Sequence, residues 1–183
     1  MRDIWLYKNS SIKERYYRLG LNFRKGNQTQ KSLFSKGLVF SINLSSDRGK
    51  TKGLLLTDKG CEVLGINTGK SNRHGGAEHR FWVARIAEHF RANAYDVATE
   101  VPVGGGKTID IVALCNDKRI AIEIETGKSE ALANIKKCID AGLDRVIVVA
   151  TSVMVHDKLS HMLPKHNAVE IVTTLELLNR YRW

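Results

Sequence analysis

Apolar positions along the chain change their spacing several times, and each change marks an element. In "SIKERYYRL" (11–19) they recur at helical spacing, and Ser11 with Glu14 three residues on forms a capping box. Gly20 interrupts the pattern. "NQTQKSLFSKG" (27–37) predicts a second helix, with Asn27 as N-cap, Gln30 three residues on and Gly37 as the stop. "LVFSINL" (38–44) and "GLLLT" (53–57) predict two strands, and the polar, basic stretch "SSDRGKTK" (45–52) between them predicts a loop. "DKGCEVLG" (58–65) predicts a short helix, and "GINTGKSNRHGG" (65–76), rich in Gly, Asn and Ser, predicts a linker.

Beyond Gly76 the pattern is different. "GAEHRFWVARIAEHF" (76–90) is a helix with Trp82, Val83, Ile86, Ala87 and Phe90 on one face. Three strands follow, "YDVATEVPV" (95–103), "TIDIVALC" (108–115) and "IAIEIET" (120–126), the last two joined by a tight turn at Asn116–Asp117. "SEALANIKKCIDAG" (129–142) is a helix with Ser129 as N-cap and Gly142 as stop. "RVIVVAT" (145–151) has the continuous apolar run of a strand buried on both faces. "VMVHDKLSHML" is helical, "AVEIVT" is a strand, and the last helix, from Thr173, opens on a Thr173–Glu176 capping box. The first three strands can form a meander, whereas the fourth and fifth need crossovers. The expected architecture is therefore α/β, a mixed sheet with helices on both faces.

Charge divides the chain at the same place. Residues 1–75 hold 15 Lys+Arg against 5 Asp+Glu, and residues 76–183 hold 14 of each. The whole excess of +10 thus lies in the first part, which points to two domains with the basic one facing a polyanion. The three cysteines form no CxxC pair, which excludes a cysteine-built zinc site and fits small buried residues in a reducing cytoplasm. No run of about 18 apolar residues is present, and "MRDIWLYKNS" lacks the apolar stretch of a secretory signal, so a cytoplasmic protein with no membrane partner is expected.

The chemistry lies in "IAIEIET". Side chains alternate along a strand, so Ile120, Ile122 and Ile124 take one face while Ala121, Glu123 and Glu125 take the other, the two acids about 7 Å apart. In the preceding strand Asp110 stands between Ile109 and Ile111, and the turn at Asn116–Asp117 brings it beside the glutamates. Three carboxylates at one end of a sheet repel one another and lose hydration. A hard divalent ion, Mg²⁺ or Mn²⁺, is the expected compensation, with surface ion pairs to Lys107, Lys118 or Arg119 or a solvated edge strand as the other reading.

Asp110, thirteen residues on, then Glu123-Ile124-Glu125 resembles the PD-(D/E)xK (restriction-endonuclease-like) nuclease superfamily, whose αβββαβ core matches the order read over residues 76–150. Ile109 stands where that motif has proline, and Glu125 where it has lysine. The resemblance implies metal-assisted phosphodiester hydrolysis. Asp110 and Glu123 would hold Mg²⁺, Glu78 on the first helix would help hold a second ion, and Glu125 or Lys128 would orient or deprotonate the water. Glu100 is a further acid in the first strand. His79 has two readings, a packed core histidine or a group near the scissile phosphate. Asn134 and Lys137 have two as well, facing the site or solvated.

Helices, a hairpin with a basic tip and a closing helix over about residues 8–66 resemble a winged helix-turn-helix. The resemblance implies DNA contacts from Gln28, Thr29, Gln30 and Lys31 on the helix before the hairpin, from Arg24 and Lys25 just ahead of that helix, and from Arg48, Lys50 and Lys52 on the wing. The expected organisation is a winged-helix domain (1–66), a linker (67–75) and a nuclease-like domain (76–183), with DNA as partner and a homodimer as one way to cut both strands. A DNA-binding regulator that has lost the chemistry, and a helper module of a larger recombination or transfer machine, are the alternatives. Four GK[ST] tripeptides occur, but Leu44, Leu64, Val101 and Ile122 stand where a P-loop needs glycine, which excludes an ATPase of that kind. "VGGGKT" (103–108) instead predicts the turn between the first two strands of the second domain, bare enough for phosphate to approach.

Overall fold

The structure, a computed structural model, describes residues 1–7, 10–46, 49–66, 76–128, 130–162 and 166–180. The chain divides into two compact units, Met1–Leu44 with Lys50–Arg73 and Ser45–Gly49 with His74–Trp183. The whole of the expected linker (67–75), together with Arg48 and Ser129, lies outside the described residues.

The first unit contains α1 (Arg2–Leu6), α2 (Ile12–Arg18), α3 (Phe23–Ser35), all but the adjoining ends of the strands β1 (Val39–Ser46) and β2 (Gly49–Leu56), and α4 (Asp58–Val63). The two strands form a two-stranded sheet. Ile4, Leu38, Val39 and Leu54 make a small core. The capping box on α2 is present in both directions. α1 was not expected, because five residues carry no readable period. It is held instead by charge: Asp3 meets the Arg15 Nη1 at 2.9 Å and the Arg18 Nε at 2.7 Å.

Two expectations in this unit need correction. α3 starts at Phe23, not after Asn27, because Asn22 is the N-cap and its Oδ1 accepts from the Lys25 backbone N–H at 2.9 Å. Gly26 is thereby inside the helix, and a β-carbon there would stand 2.6 Å from the Tyr16 ring, so this glycine is a packing notch between α2 and α3. β2 begins at Gly49, so Lys50 and Lys52 lie on a strand, not in a loop.

The second unit runs α5 (Ala77–Ala92), β3 (Asp96–Gly104), β4 (Lys107–Cys115), β5 (Lys118–Glu125), α6 (Ala131–Asp140), β6 (Arg145–Ala150), α7 (Val153–Met162), β7 (Val169–Thr173) and α8 (Thr174–Arg180). One five-stranded mixed sheet has the order β3-β4-β5-β6-β7. β3, β4 and β5 are antiparallel, and β5, β6 and β7 are parallel. Asn116 and Asp117 both have positive φ, 48° and 62°, as a two-residue hairpin turn of the expected kind requires. Ala121, Val146, Val148 and Ala150 pack with Ala131, Ile135 and Cys138 of α6 and with Val155 and Leu159 of α7. Ile111, Ile122, Ile124 and Ile147 are also fully buried, as are Ile86 and Phe90 of α5. Each such side chain contributes about 1.5–3 kcal/mol by leaving water. That burial holds the strands carrying the acids rigid.

Among the described residues no helix is long and apolar enough to cross a membrane. Cys61 and Cys138 are buried, Cys115 is half-buried, and all three are free thiols.

Candidate active site

The β4–β5 ladder pairs Ile111 with Ile122 and runs from there to the hairpin turn. On the other side of that pair the two strands no longer exchange regular bonds, and a side chain takes over. Asp110 Oδ2 accepts the Ile124 backbone N–H at 2.8 Å. Ile109 packs with Ala121 and α6, the side that strict alternation assigns to Asp110, because the ladder has already ended there. The opening gives Asp110 and Glu123 a shared cavity of about 510 Å³, lined also by Glu78, His79, Gly106, Lys107, Thr108, Lys128, Asn134 and Lys137.

Each acid has one oxygen committed to the protein. Asp110 Oδ2 also meets His79 Nε2 at 2.9 Å. Glu123 Oε1 meets Lys137 Nζ at 3.0 Å and accepts from the Cys138 thiol at 3.3 Å. Lys137, 7% exposed, also donates to the Thr108 carbonyl at 2.6 Å. Among the described residues, Oδ1 of Asp110 and Oε2 of Glu123 make no such bond.

Glu123 is almost wholly buried. Burial and the nearby Asp110 carboxylate raise its pKa to about 7, and Lys137 offsets only part of this. Burial opposes charge on His79, but the hydrogen bond to Asp110 and the negative field of the three acids outweigh it and raise its pKa. Burial, then the Glu123 charge, pushes the Cys138 thiol up, so it stays a donor.

The predicted residues fall into groups. Asp110, Glu123, Glu78 and Lys128 line the cavity. Glu125 does not: it is buried on the same strand, and its Oε1 accepts from Asn134 Nδ2 at 2.9 Å. Lys128 is exposed, five residues past Glu123. Glu100 is not among the cavity's lining residues and stands mid-strand with a φ of +54°. In the first unit Arg24, Lys25, Gln28, Thr29 and Lys31 are exposed on α3, and Lys50 and Lys52 are exposed on β2. Gln30 is half-buried, and its Oε1 accepts from the Tyr16 hydroxyl at 2.9 Å.

His79, Asn134 and Lys137 all line the cavity, with His79 in contact with Asp110 and Lys137 with Glu123. Cys138 was read only as a small core residue, and its contact with Glu123 had no sequence signal. For Lys137 a faint one existed. Asn134 and Lys137 are three apart and flank the inward positions Ala131, Ile135 and Cys138, so both lie on the border of the buried face.

A scan against family models finds no match for the chain. A search of curated proteins likewise finds none. Among solved structures the chain is similar to AF1548, a protein of unknown function, at 14% identity and a TM-score of 0.39. The match covers 53% of this chain and 64% of that one, so the chain spans just under two-thirds of that protein's length.

Proposed function

We propose that this chain is a metal-dependent nuclease of the PD-(D/E)xK kind that hydrolyses phosphodiester bonds in DNA. The observation that carries the reading is the pair Asp110 and Glu123. Both face one cavity, each with one oxygen fixed by the protein and one oxygen without a partner among the described residues.

The donor set fits Mg²⁺ or Mn²⁺. Mg²⁺ is commonly held by one or two carboxylates, with water and substrate phosphate completing the shell. A bound cation would also relieve the mutual repulsion that raises the Glu123 pKa. When bound, the ion lowers the pKa of a water and offsets charge on the phosphate in flight.

The chain's own residues do the rest. His79 and the Ile124 amide fix Asp110 by its Oδ2. Lys137 is held by Glu123 and the Thr108 carbonyl, so its ammonium stands fixed at the cavity wall, where it positions Glu123 and adds positive charge beside the phosphate and the attacking water. We assign this role to Lys137 rather than to Lys128 or Glu125. Among the described residues Lys128 makes no ion pair with Glu123, and Glu125 is held by Asn134. Glu78, in the first turn of α5, is the remaining acid available to a second ion. The first unit, with its exposed Arg24, Lys25, Gln28, Thr29, Lys31, Lys50 and Lys52, is read as a winged-helix grip on DNA, and a homodimer would supply two cutting sites.

The test is nicking of supercoiled plasmid with Mg²⁺, Mn²⁺ or EDTA. Cleavage should need the metal and fall about a hundredfold or more in Asp110→Ala, since a metal contributes several kcal/mol of transition-state stabilisation. Lys137→Ala should lose rate while retaining DNA binding. Binding without any metal-dependent cleavage would sink the reading in favour of a DNA-binding regulator, which the glutamate at position 125 also suits.

A further inference from the structure

We propose that the rim of this cavity holds two backbone phosphates of a nucleic-acid strand, one through Lys107 and one through Lys128. The proposal deepens the nuclease reading and rests on it, because it takes the cavity to receive a phosphodiester strand. A cavity that presents Asp110, Glu123 and Glu78 repels a polyanion, so cations must meet the strand before the acids do.

Three lysines line the cavity, Lys107, Lys128 and Lys137. Lys137 is already paired with Glu123. Lys107 and Lys128 are exposed, and neither side chain makes a hydrogen bond or ion pair among the described residues. Their charge is therefore available to a ligand.

Both follow glycines with left-handed backbone, the conformation glycine adopts without steric cost. Lys107 follows Gly104, Gly105 and Gly106, whose φ values are +92°, +59° and +71°. A β-carbon on any of the three would meet nothing within 4 Å, so the turn is bare and open to a strand backbone. Lys128 follows Gly127, with φ +80°, where a β-carbon would stand 3.1 Å from Val155 of α7. That turn is thereby fixed against a core helix. Lys107 precedes Asp110 by three residues on β4, within about 10 Å along the strand, and Lys128 leaves the strand that carries Glu123. Each carboxylate thus has one unpaired lysine on its own strand or the turn beyond it.

The test measures binding of a fluorescein-labelled DNA duplex by the full chain in EDTA, as fluorescence anisotropy over a range of salt concentrations. Each phosphate contact contributes about 0.9 to the slope of log K against log salt. Lys107→Ala and Lys128→Ala should each lower the slope by about 0.9, and the double variant by about 1.8. Lys107→Arg and Lys128→Arg should keep the wild-type slope. Lys118→Ala, at the far end of β5, is the control and should leave the slope unchanged. Slopes in both alanine variants equal to that of Lys118→Ala would overturn the proposal, as would arginine variants that fall as far as the alanine ones. No turnover is needed, so reduced slopes without any metal-dependent nicking would mean that the nuclease reading had failed while the phosphate contacts stood.

Discussion

Asp3 and Glu123 are both acids in contact with basic side chains, yet they titrate on opposite sides of the usual carboxylate range. Burial pushes Asp3 up, but hydrogen bonds from Arg18 and Arg15 outweigh it and hold its pKa low. Burial also pushes Glu123 up, Asp110 adds to it, and the single Lys137 does not compensate, so the group sits near 7. The difference is one of balance. In the first unit two guanidiniums close around one carboxylate, and the cluster serves to tie α1 to α2. In the second unit the negative charge exceeds what the protein supplies against it. A fold has no use for that excess, and strongly perturbed acids in a cleft are typical of functional sites.

The balance can be broken most severely in the first unit. Asp3→Ala leaves the buried Arg15 without its counter-charge and should cost about 3–5 kcal/mol. Urea unfolding of the full chain should register this as loss of an early transition or as a shifted midpoint.

The opposite sign is expected at Glu123. Its folded pKa of about 7 lies above the ordinary 4.5, so the folded chain holds a proton that the unfolded chain has already released. Stability therefore falls as pH rises from about 4.5 to 7, by about 3 kcal/mol in all. Glu123→Gln keeps the acceptor and removes the charge. In EDTA it should be more stable than wild type at pH 8 by up to that amount, and equal to it near pH 4. His79 adds to the same trend in the wild type. Its raised pKa gives a contribution fully present below about 6.5 that is lost as pH rises through the folded value.

Two smaller changes test the frame around these clusters. Gly26→Ala places a methyl group against the Tyr16 ring and should cost about 1–3 kcal/mol by overpacking. Asp117→Gly relieves a left-handed backbone at the β4–β5 turn and should stabilise by about 1 kcal/mol or less, seen as a small rise in Tm.

The acids' strand was legible because alternation in "IAIEIET" and the Asn116–Asp117 turn are local signals, and the β4–β5 register follows from them. The partners of those acids were not legible. Lys137 lies at the edge of a buried helix face, and a long side chain there can reach inward or outward until the neighbouring strand is known. Asp110's bond to the Ile124 amide depends on where the ladder ends, which no residue pattern reports. Gly26 lies one residue ahead of the expected helix start at Asn27, and a glycine that makes room for a ring looks the same in sequence as one that stops a helix. Asn22 and Asn27 are equally good caps by composition, and the packing of Gly26 on Tyr16 accompanies the choice of Asn22.

The central claim is that Asp110 and Glu123 are short of positive charge because a cation belongs between them. Calorimetric titration of Mn²⁺ into the full chain at pH 7.5, beside Asp110→Asn and Glu123→Gln, tests it without requiring cleavage. The account predicts binding of the ion by the wild type, proton release on binding, since Glu123 is partly protonated near its raised pKa, and loss of binding in both variants. Absence of binding by the wild type, or heats unchanged by either substitution, would contradict it.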